Sequence, residues 1–458
     1  MNAERNAHGN ADTNADMHTD MHTDTNADMH IDINADTNAD TNEADVVIIG
    51  AGPQGLAAGA HALERGLRPI VLEAGAGPAA AIAEWSHVRL FSDWSELVDS
   101  AAERRLAAAG WTRPGPGIPT GGEWIDRYLA PLAASLAPAV RYGERVVGVE
   151  RTDGGFVVRT TRGTFAAPAV LDASGTWTGP RPLGPDGSAA AGEESAAAAG
   201  LVTYRIPDPA ELATLAHGHV IVVGSGHSAA TAIGDLARLT ATSPGTRVTW
   251  VMRRAQAGAV WGGGDADALP ARAELGTRAR RAVESGAVEL VTGFRSTRVD
   301  VADDRAVLVA DDGRALDAAD RIIVLTGFEP DLSFLAGLRL DLDLVLRAPV
   351  RLAPEIDPAI HSCGTVAATG IAQLAQPEEG FVILGAKSYG NAPTFLALTG
   401  YEQVRSVVAH LAGDDEAAAR NELVLPETGV CGGAAADEAC CASAGPQSIT
   451  LGRAPVSA

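Results

Sequence analysis

Residues 46–58 of the chain read VVIIGAGPQGLAA, and this stretch decides the fold class. An apolar run of strand composition ends at Gly50, and Gly50, Gly52 and Gly55 follow in GxGxxG spacing before an alanine-rich segment of helical composition. In such a strand–turn–helix unit the first glycine permits a tight turn, the second lets the backbone approach a pyrophosphate, and the third lets the helix pack on the strand. The stretch therefore predicts a dinucleotide site.

Residues around this turn complete the predicted site. Pro53 and Gln54 stand at the N-terminus of the predicted helix, where free N–H groups and a partial positive charge favour phosphate. The next predicted strand, PIVLE, ends at Glu73, near the offset of roughly 20 residues at which an acid accepts hydrogen bonds from a ribose diol. We therefore include Glu73 among the cofactor-binding residues.

A second copy of the same device, VIVVGSGHSAA, occupies residues 220–230. Its glycines follow another apolar run, in GxGxxA spacing, and precede another helical segment. The residues predicted to contact a cofactor here belong to the turn and the start of the helix: Gly224, Ser225, Gly226, His227, Ser228 and Ala229. Two dinucleotide sites in one chain imply electron transfer between two cofactors.

The strand after the second helix, RVTWVM, is followed by Arg253 and Arg254 and not by an acid. Two guanidinium groups at this point would pair with a 2′-phosphate, which a carboxylate would repel. The second cofactor is therefore predicted to be NADPH and not NADH.

Composition limits the possible partners. The chain has 458 residues, 46% of them hydrophobic, and a formal net charge of −23. No apolar run approaches 20 residues, the N-terminus has no secretory pattern, and there are only four cysteines, so we expect a cytoplasmic protein without a transmembrane helix. The acidic balance disfavours nucleic acid and anionic membranes, which leaves a small-molecule substrate, with a homodimer possible.

An aspartate recurs at every fourth position from Asp12 to Asp40. This repeat has little to bury and much charge, which predicts disorder over residues 1–44. Its histidines, among them His18 and His22, could hold a divalent metal loosely with neighbouring aspartates, but a solvated repeat is the favoured interpretation and no metal site is predicted.

Two further stretches give expectations about packing and exposure. Residues 84–130 carry many aromatic side chains, which would either fill a core or line a planar cofactor or substrate. Residues 184–200 have loop composition and predict a surface excursion.

The order of these motifs resembles the large class of flavoproteins with two dinucleotide-binding domains, which includes flavin-containing monooxygenases, Baeyer–Villiger enzymes and disulfide reductases. The resemblance covers about residues 45–412. In that class the first glycine motif binds FAD and the second binds NADPH. DASGTW (172–177) and LTGFEPD (325–331), which contains Gly327, look like the two linkers by which the chain crosses between domains.

The resemblance implies an α/β fold with two Rossmann-like dinucleotide-binding domains, the NADPH domain being inserted in the FAD domain. The expected segments, in chain order, are a disordered Asp-rich repeat (1–44), the first part of the FAD domain (45–205), the NADPH domain (206–319), the second part of the FAD domain (320–412), which ends in a helix from about Pro393 to Leu411, and a flexible cysteine-containing tail (413–458).

Three stretches look closest to bacterial flavin-containing monooxygenase-like proteins associated with arsenic and heavy-metal resistance: WSHVRLF (85–91), GGGDADALP (262–270) and SYGNAPTFLALTGYEQV (388–404). By position, Trp85 and Arg89 are candidates for contact with FAD. Gly385 also belongs to the expected FAD site, but the Gly-Asp pair that closes this site in the family reads here Gly385-Ala386-Lys387.

The chain lacks the CysxxCys and CysxxxxCys dithiols of ordinary disulfide reductases, and residues 178–206 lack the PhexGlyxxxHis signature of typical Baeyer–Villiger enzymes and flavin-containing monooxygenases. The first hypothesis is a monooxygenase that transfers one oxygen atom through a peroxyflavin. The second is a metalloid or disulfide reductase that uses Cys431, Cys440 and Cys441, because thiolates are soft metal ligands. A flavin redox sensor is the third. No catalytic residue is otherwise assigned.

Overall fold

A computed structural model describes residues 44–261, 270–357, 369–393 and 395–423 of the chain. The Asp-rich repeat, most of the 262–270 motif and all four cysteines lie outside the described residues. In the part that the structure describes, no helix is both long and apolar enough to cross a membrane.

The strands follow one another as β1 (Val46–Ile49), β2 (Pro69–Glu73), β3 (Val140–Tyr142), β4 (Val146–Thr152), β5 (Gly155–Thr160), β6 (Thr164–Ala167), β7 (Ala169–Asp172), β8 (Val202–Thr203), β9 (His219–Val223), β10 (Arg247–Val251), β11 (Glu289–Val291), β12 (Ser296–Ala302), β13 (Arg305–Ala310), β14 (Arg321–Val324) and β15 (Phe381–Ile383).

The α-helices are α1 (Pro53–Glu64), α2 (Ala80–Ala83), α3 (Trp94–Leu97), α4 (Ser100–Ala108), α5 (Gly121–Trp124), α6 (Ala130–Ser135), α7 (Glu193–Ala198), α8 (Pro209–Thr214), α9 (His227–Thr242), α10 (Pro270–Glu284), α11 (Ala353–Ile356), α12 (Ile371–Leu374), α13 (Ala397–Leu411) and α14 (Asp415–Ala419). A π-helical turn (Ile125–Leu129) joins α5 to α6.

The first parallel sheet has the strand order β15-β7-β1-β2-β3. Because successive side chains of a strand point to opposite faces, Val46 and Ile48 enter one core with the helices α1 and α13, and Val47 and Ile49 enter another with the antiparallel sheet β4-β5-β6. Both faces are therefore covered, which explains why β1 is a continuous apolar run. This sheet and its layers form the first dinucleotide unit.

The second parallel sheet, β11-β10-β9-β14-β8, repeats the plan and forms the second dinucleotide unit. Val220 and Val222 of β9 face α9 and α10, and Ile221 and Val223 face the hairpin β12-β13. The two sheets confirm the predicted α/β class with two Rossmann-like units. Strands β8 and β14 extend the second sheet slightly beyond the predicted range 206–319.

All strands of the second sheet lie between β7 and β15 in the chain, so the second unit is inserted in the first. The two crossing segments are tied together: Pro180 and Phe328 form an isolated antiparallel bridge, and the Phe328 ring stacks on Trp177 with 4.7 Å between centroids. The amide of Arg181 donates to the carbonyl of Gly327 at 2.9 Å. The crossings fall where DASGTW and LTGFEPD were expected.

The aromatic segment fills cores. Five of its side chains belong to the core beside α1 or pack against it: Trp85, Trp94, Trp111, Trp124 and Tyr128. Phe91 packs instead against the second unit, and its ring centroid lies 5.3 Å from that of His227. The packing therefore supports core filling for Trp94, Trp124 and Tyr128, whereas Trp85, Trp111 and Phe91 are only partly buried.

The prediction of a loop over 184–200 was wrong for residues 193–198, although most of the stretch is exposed, as expected of a surface excursion. Helix α7 occupies Glu193–Ala198, and Glu193 is fully buried. Its carboxylate accepts hydrogen bonds from the amides of Leu183 and Ala190 and from the hydroxyl of Tyr204. An acidic residue can be buried when several donors bind its carboxylate. The polarity of this stretch therefore did not require every residue to lie at the surface.

Two boundaries near the C-terminus also differ from expectation. The last long helix, α13, begins at Ala397 and not near Pro393. The expected tail from 413 begins with a short helix, α14, in which Ala417 and Ala418 are buried against the end of α13. This short helix is capped by Asp414, and Arg405 and Ser406 of α13 donate to the carbonyls of Ala417 and Ala418.

Candidate functional site

The first glycine turn has the geometry its sequence predicts. Gly50 has a φ of +97°, a conformation that favours glycine, and a Cβ there would lie 2.8 Å from the Ala173 carbonyl oxygen. A Cβ on Gly55 would lie 1.8 Å from the Gly50 carbonyl oxygen, because the helix packs directly on the turn. Around Gly52, by contrast, a Cβ would meet no atom of the described residues within 4 Å.

Helix α1 starts at this open position. Its N-cap is Gly52, no side chain caps it, and Pro53 occupies the first turn. Among the described residues the amides of the first turn therefore have no side-chain acceptor, and the positive end of the helix faces the space beside Gly52. This arrangement fits a bound pyrophosphate.

Glu73 lies against the same turn. It is the last residue of β2, and its carboxylate accepts hydrogen bonds of 2.8 Å from the amides of Ala51 and Gly75. Burial raises the pKa of the neighbouring Tyr142, with a further contribution from the Glu73 carboxylate, so the tyrosine stays protonated. The structure thus brings together the turn, the helix terminus and the acid predicted from the sequence.

The second glycine turn repeats this geometry. Gly224 has a φ of +136°, and a Cβ there would lie 2.2 Å from the Leu325 carbonyl oxygen. Gly226 is the N-cap of α9, and in the part of the chain that the structure describes no side chain caps it and a Cβ on it would meet no atom within 4 Å. Ala229 is fully buried at the position of the third glycine. Ser225 and Ser228 flank Gly226 and are partly exposed.

Arg253 and Arg254 follow β10, which pairs with β9. The Gly224 amide donates to the carbonyl of Val251 at 3.1 Å, which puts the glycine turn and the end of β10 at the same sheet edge. Both arginines are exposed, and Nη1 of Arg253 donates to the carbonyl of Pro185 at 3.1 Å.

The remaining predicted cofactor contacts lie in other parts of the fold. Trp85 packs beside Gly121, where a Cβ would lie 2.9 Å from the indole ring, and the Arg89 guanidinium donates to the Ile118 carbonyl. Gly385, with a φ of +66°, donates its amide to Oε1 of Gln403 at 2.9 Å.

The Gln54 side chain lies beside both Gly385 and Gly400 of α13. A Cβ on Gly385 or on Gly400 would lie 3.0 Å or less from atoms of that side chain. The start of α13 therefore lies beside the first turn of α1, whereas Gly327 belongs to the paired crossings.

Sequence reasoning missed the role of Lys387. Its ammonium is an ion-pair partner of Asp172, with 2.6 Å between Nζ and Oδ2, and both side chains are essentially inaccessible to solvent. Nζ also donates to Oγ of Ser174 at 3.0 Å. A signal was present in the sequence, because Lys387 is the only lysine among 35 basic lysine and arginine residues.

Comparisons with known proteins agree with this architecture. A family model for pyridine nucleotide-disulphide oxidoreductases matches residues 47–345, more than half of the chain. A search of curated proteins found no significant match.

Among solved structures, a bacillithiol disulfide reductase from Bacillus cereus aligns with 20% identity and a TM-score of 0.62, covering 81% of this chain and 99% of that one. A doubly substituted form of a flavin monooxygenase from Stenotrophomonas maltophilia has 23% identity and a TM-score of 0.55 with the same coverage. A thioredoxin reductase from T. acidophilum has 17% identity and a TM-score of 0.53, again over 81% and 99%. At these identities the likeness concerns the fold.

Proposed function

Because the chain belongs to the pyridine nucleotide-disulphide oxidoreductase family, whose members are FAD-dependent oxidoreductases that use a pyridine nucleotide, we propose that it is an NADPH-using flavoprotein monooxygenase. In the proposed reaction NADPH, a proton and dioxygen react with a small substrate to give NADP⁺, water and the substrate bearing one added oxygen atom. FAD, when bound, accepts the hydride and supplies the oxygen chemistry.

The observation that carries the oxygenase proposal is the distribution of cysteine. Between residues 45 and 412 the sequence has one cysteine, Cys363. A disulfide reductase that works through a dithiol next to its flavin needs two cysteines close together in this region. Transfer of oxygen needs none, so the oxygenase is the simpler chemistry for these residues.

The residues of the chain have binding and orienting roles in this proposal. The first turn of α1 would hold the FAD pyrophosphate and Glu73 its ribose; the first turn of α9 would hold the NADPH pyrophosphate. Arg253 and Arg254 would bind the 2′-phosphate, by which NADPH is distinguished from NADH. Trp85 and Arg89 stay predicted FAD contacts.

The substrate class follows from the resemblance of the sequence to proteins associated with arsenic resistance. A trivalent arsenical or a thioether is a soft nucleophile that can accept an oxygen atom without a redox cysteine. We therefore propose a soft nucleophile as the oxygen acceptor and trivalent arsenicals as the first compounds to test.

The test is to incubate the purified FAD-loaded protein with NADPH, ¹⁸O₂ and each candidate acceptor, and to measure both ¹⁸O in the product and hydrogen peroxide. The proposal expects one labelled oxygen atom per NADPH consumed with the right acceptor, and little peroxide. If NADPH is consumed with stoichiometric peroxide for every acceptor, or if only disulfides are reduced, the oxygenase proposal is wrong.

A matched pair of variants separates the reductase alternative. A chain that ends after Leu423 keeps α14, which is packed, and removes Cys431, Cys440 and Cys441 together. The variant with all three cysteines changed to serine keeps the full length. The proposal expects oxygen transfer to survive in both, whereas loss of acceptor reduction in both with normal flavin reduction by NADPH would establish the tail thiols as the carriers.

A further inference from the structure

Lys387 differs from the arginines of the chain in its chemistry. The sequence has 34 arginines and this single lysine. Its side chain is 1% exposed, and it lies just after β15, at the carboxyl edge of the first sheet. Ligands of parallel α/β sheets bind at this edge.

The ammonium of Lys387 has three close neighbours. Nζ lies 2.6 Å from Oδ2 of Asp172, donates to Oγ of Ser174, and lies 4.4 Å from the ring centroid of Phe334. The Ser174 hydroxyl in turn donates to Oδ1 of Asp172 at 2.6 Å. Lysine, carboxylate and serine thus form a closed ring of polar contacts with an aromatic face beside the cation.

This ring holds the turn that supports the first glycine motif. Asp172 is in register with Ile49, and the Ala173 amide donates to the Ile49 carbonyl at 2.9 Å. The following backbone lies close to Gly50: a Cβ there would lie 2.8 Å from the Ala173 oxygen and 3.0 Å from Cα of Ser174. Any shift of residues 172–174 would therefore be transmitted directly to Gly50.

A gain in folding stability does not by itself explain this buried ion pair. Removing two charges from water is costly, and a buried ion pair can often be replaced by apolar residues without loss of stability. The pair does, however, fix the geometry of the 172–174 turn, since a compact ammonium at this site can bind the carboxylate, the hydroxyl and the aromatic ring at once.

We propose that Lys387 is a positioning residue for the first cofactor: its ammonium, through Asp172 and Ser174, holds the 172–174 turn against Gly50 and keeps the glycine turn in the shape that receives the dinucleotide. The inference rests on the proposed binding of FAD at this turn. Lys387 itself need not touch the cofactor.

The experiment is a double-mutant cycle read out by FAD affinity. Apoprotein of the full chain is titrated with FAD, well below the melting temperature, for wild type, Lys387→Met, Asp172→Asn and the double variant. Each single change leaves one buried group without its partner, so we expect the Kd for FAD to rise at least about tenfold. The Kd of the double variant for FAD should be no higher than that of the single variant with the lower FAD affinity, because no unpaired charge remains.

The control is a second buried ion pair away from the glycine turn. Arg405 binds Glu402 and the carbonyl of Ala417, at the end of α13 that packs on α14. Arg405→Met should lower Tm and leave the Kd for FAD within about twofold of wild type. If Lys387→Met behaves in the same way, with lower Tm and unchanged Kd, the positioning role is refuted and the pair is structural.

A measurement on the unmutated chain covers the case in which these variants do not fold. After labelling with ¹⁵N-lysine, the protein has a single Nζ resonance, because it has a single lysine. The inference expects a slowly exchanging ammonium signal in the apoprotein that shifts when FAD is added. A signal that does not respond to saturating FAD overturns it, whereas wild-type protein that binds no FAD at all refutes the cofactor assignment instead.

Discussion

Gly52→Asp should change folding and cofactor binding in opposite directions. Gly52 is the N-cap of α1, its φ of −78° suits any residue, and a Cβ would meet nothing within 4 Å. Aspartate is a good N-cap, so the free energy of unfolding of the apoprotein should stay the same or rise by a few tenths of a kcal/mol. The new carboxylate would, however, take the amides that the FAD pyrophosphate needs and would repel its charge.

The loss can be given a magnitude. Two hydrogen bonds to a charged phosphate, at about 1.5 kcal/mol each, correspond to about 3 kcal/mol, or roughly 150-fold in Kd. The assay is a fluorescence titration of apoprotein with FAD, accompanied by the Tm of both apoproteins. Gly226→Asp, the same change at the second turn, is the matched control and should weaken NADPH binding while FAD stays bound. If Gly52→Asp binds FAD as wild type does, or if its apoprotein melts several degrees lower, the assignment of the open position to the pyrophosphate is refuted.

Three further changes test other parts of the fold and site. Gly55→Ala should lower the apoprotein Tm and FAD affinity together, in thermal melts and titrations, since its Cβ would lie 1.8 Å from a carbonyl oxygen; an unchanged Tm would contradict the packing. Arg253→Ala combined with Arg254→Ala should raise KM for NADPH by roughly 10- to 150-fold and leave KM for NADH nearly unchanged in steady-state assays; equal losses would mean that these residues do not read the 2′-phosphate. Glu193→Ala leaves three donors without an acceptor and should lower the free energy of unfolding, measured with denaturant, by about 3 kcal/mol. Glu194→Ala, at an exposed neighbour, should lower it by less than about 0.5 kcal/mol. Similar losses for both variants would refute the buried role of Glu193.

The features that the sequence predicted well depend on local backbone requirements. Gly50 and Gly224 have positive φ, and Gly55 allows close packing, so each leaves a fixed spacing in the sequence that can be recognised without the fold. Glu73 is similar, because it ends the strand next to the turn. Predictions of this kind succeed because one short segment contains both the residues and the reason for them.

The two features that were missed are buried charged side chains. Lys387 and Ser174 are separated by 213 positions, and no local pattern announces that they meet. Residues 184–200 were predicted to be a surface excursion because of their loop composition, yet three donors converge on the Glu193 carboxylate in the folded chain. In both cases a charged side chain is buried by contacts that only the tertiary structure supplies.

The pairing of the two crossing segments has a consequence for how this architecture can be rebuilt. Since Pro180 and Phe328 are bridge partners, the insert leaves the first unit and returns to it at nearly the same point. A short peptide can therefore join the two ends and close the first unit without the insert, and a different nucleotide-binding module with adjacent termini can be grafted at the same junction. The second unit is in this sense an exchangeable module, and the Trp177–Phe328 stack lies at the junction where the chain would be cut.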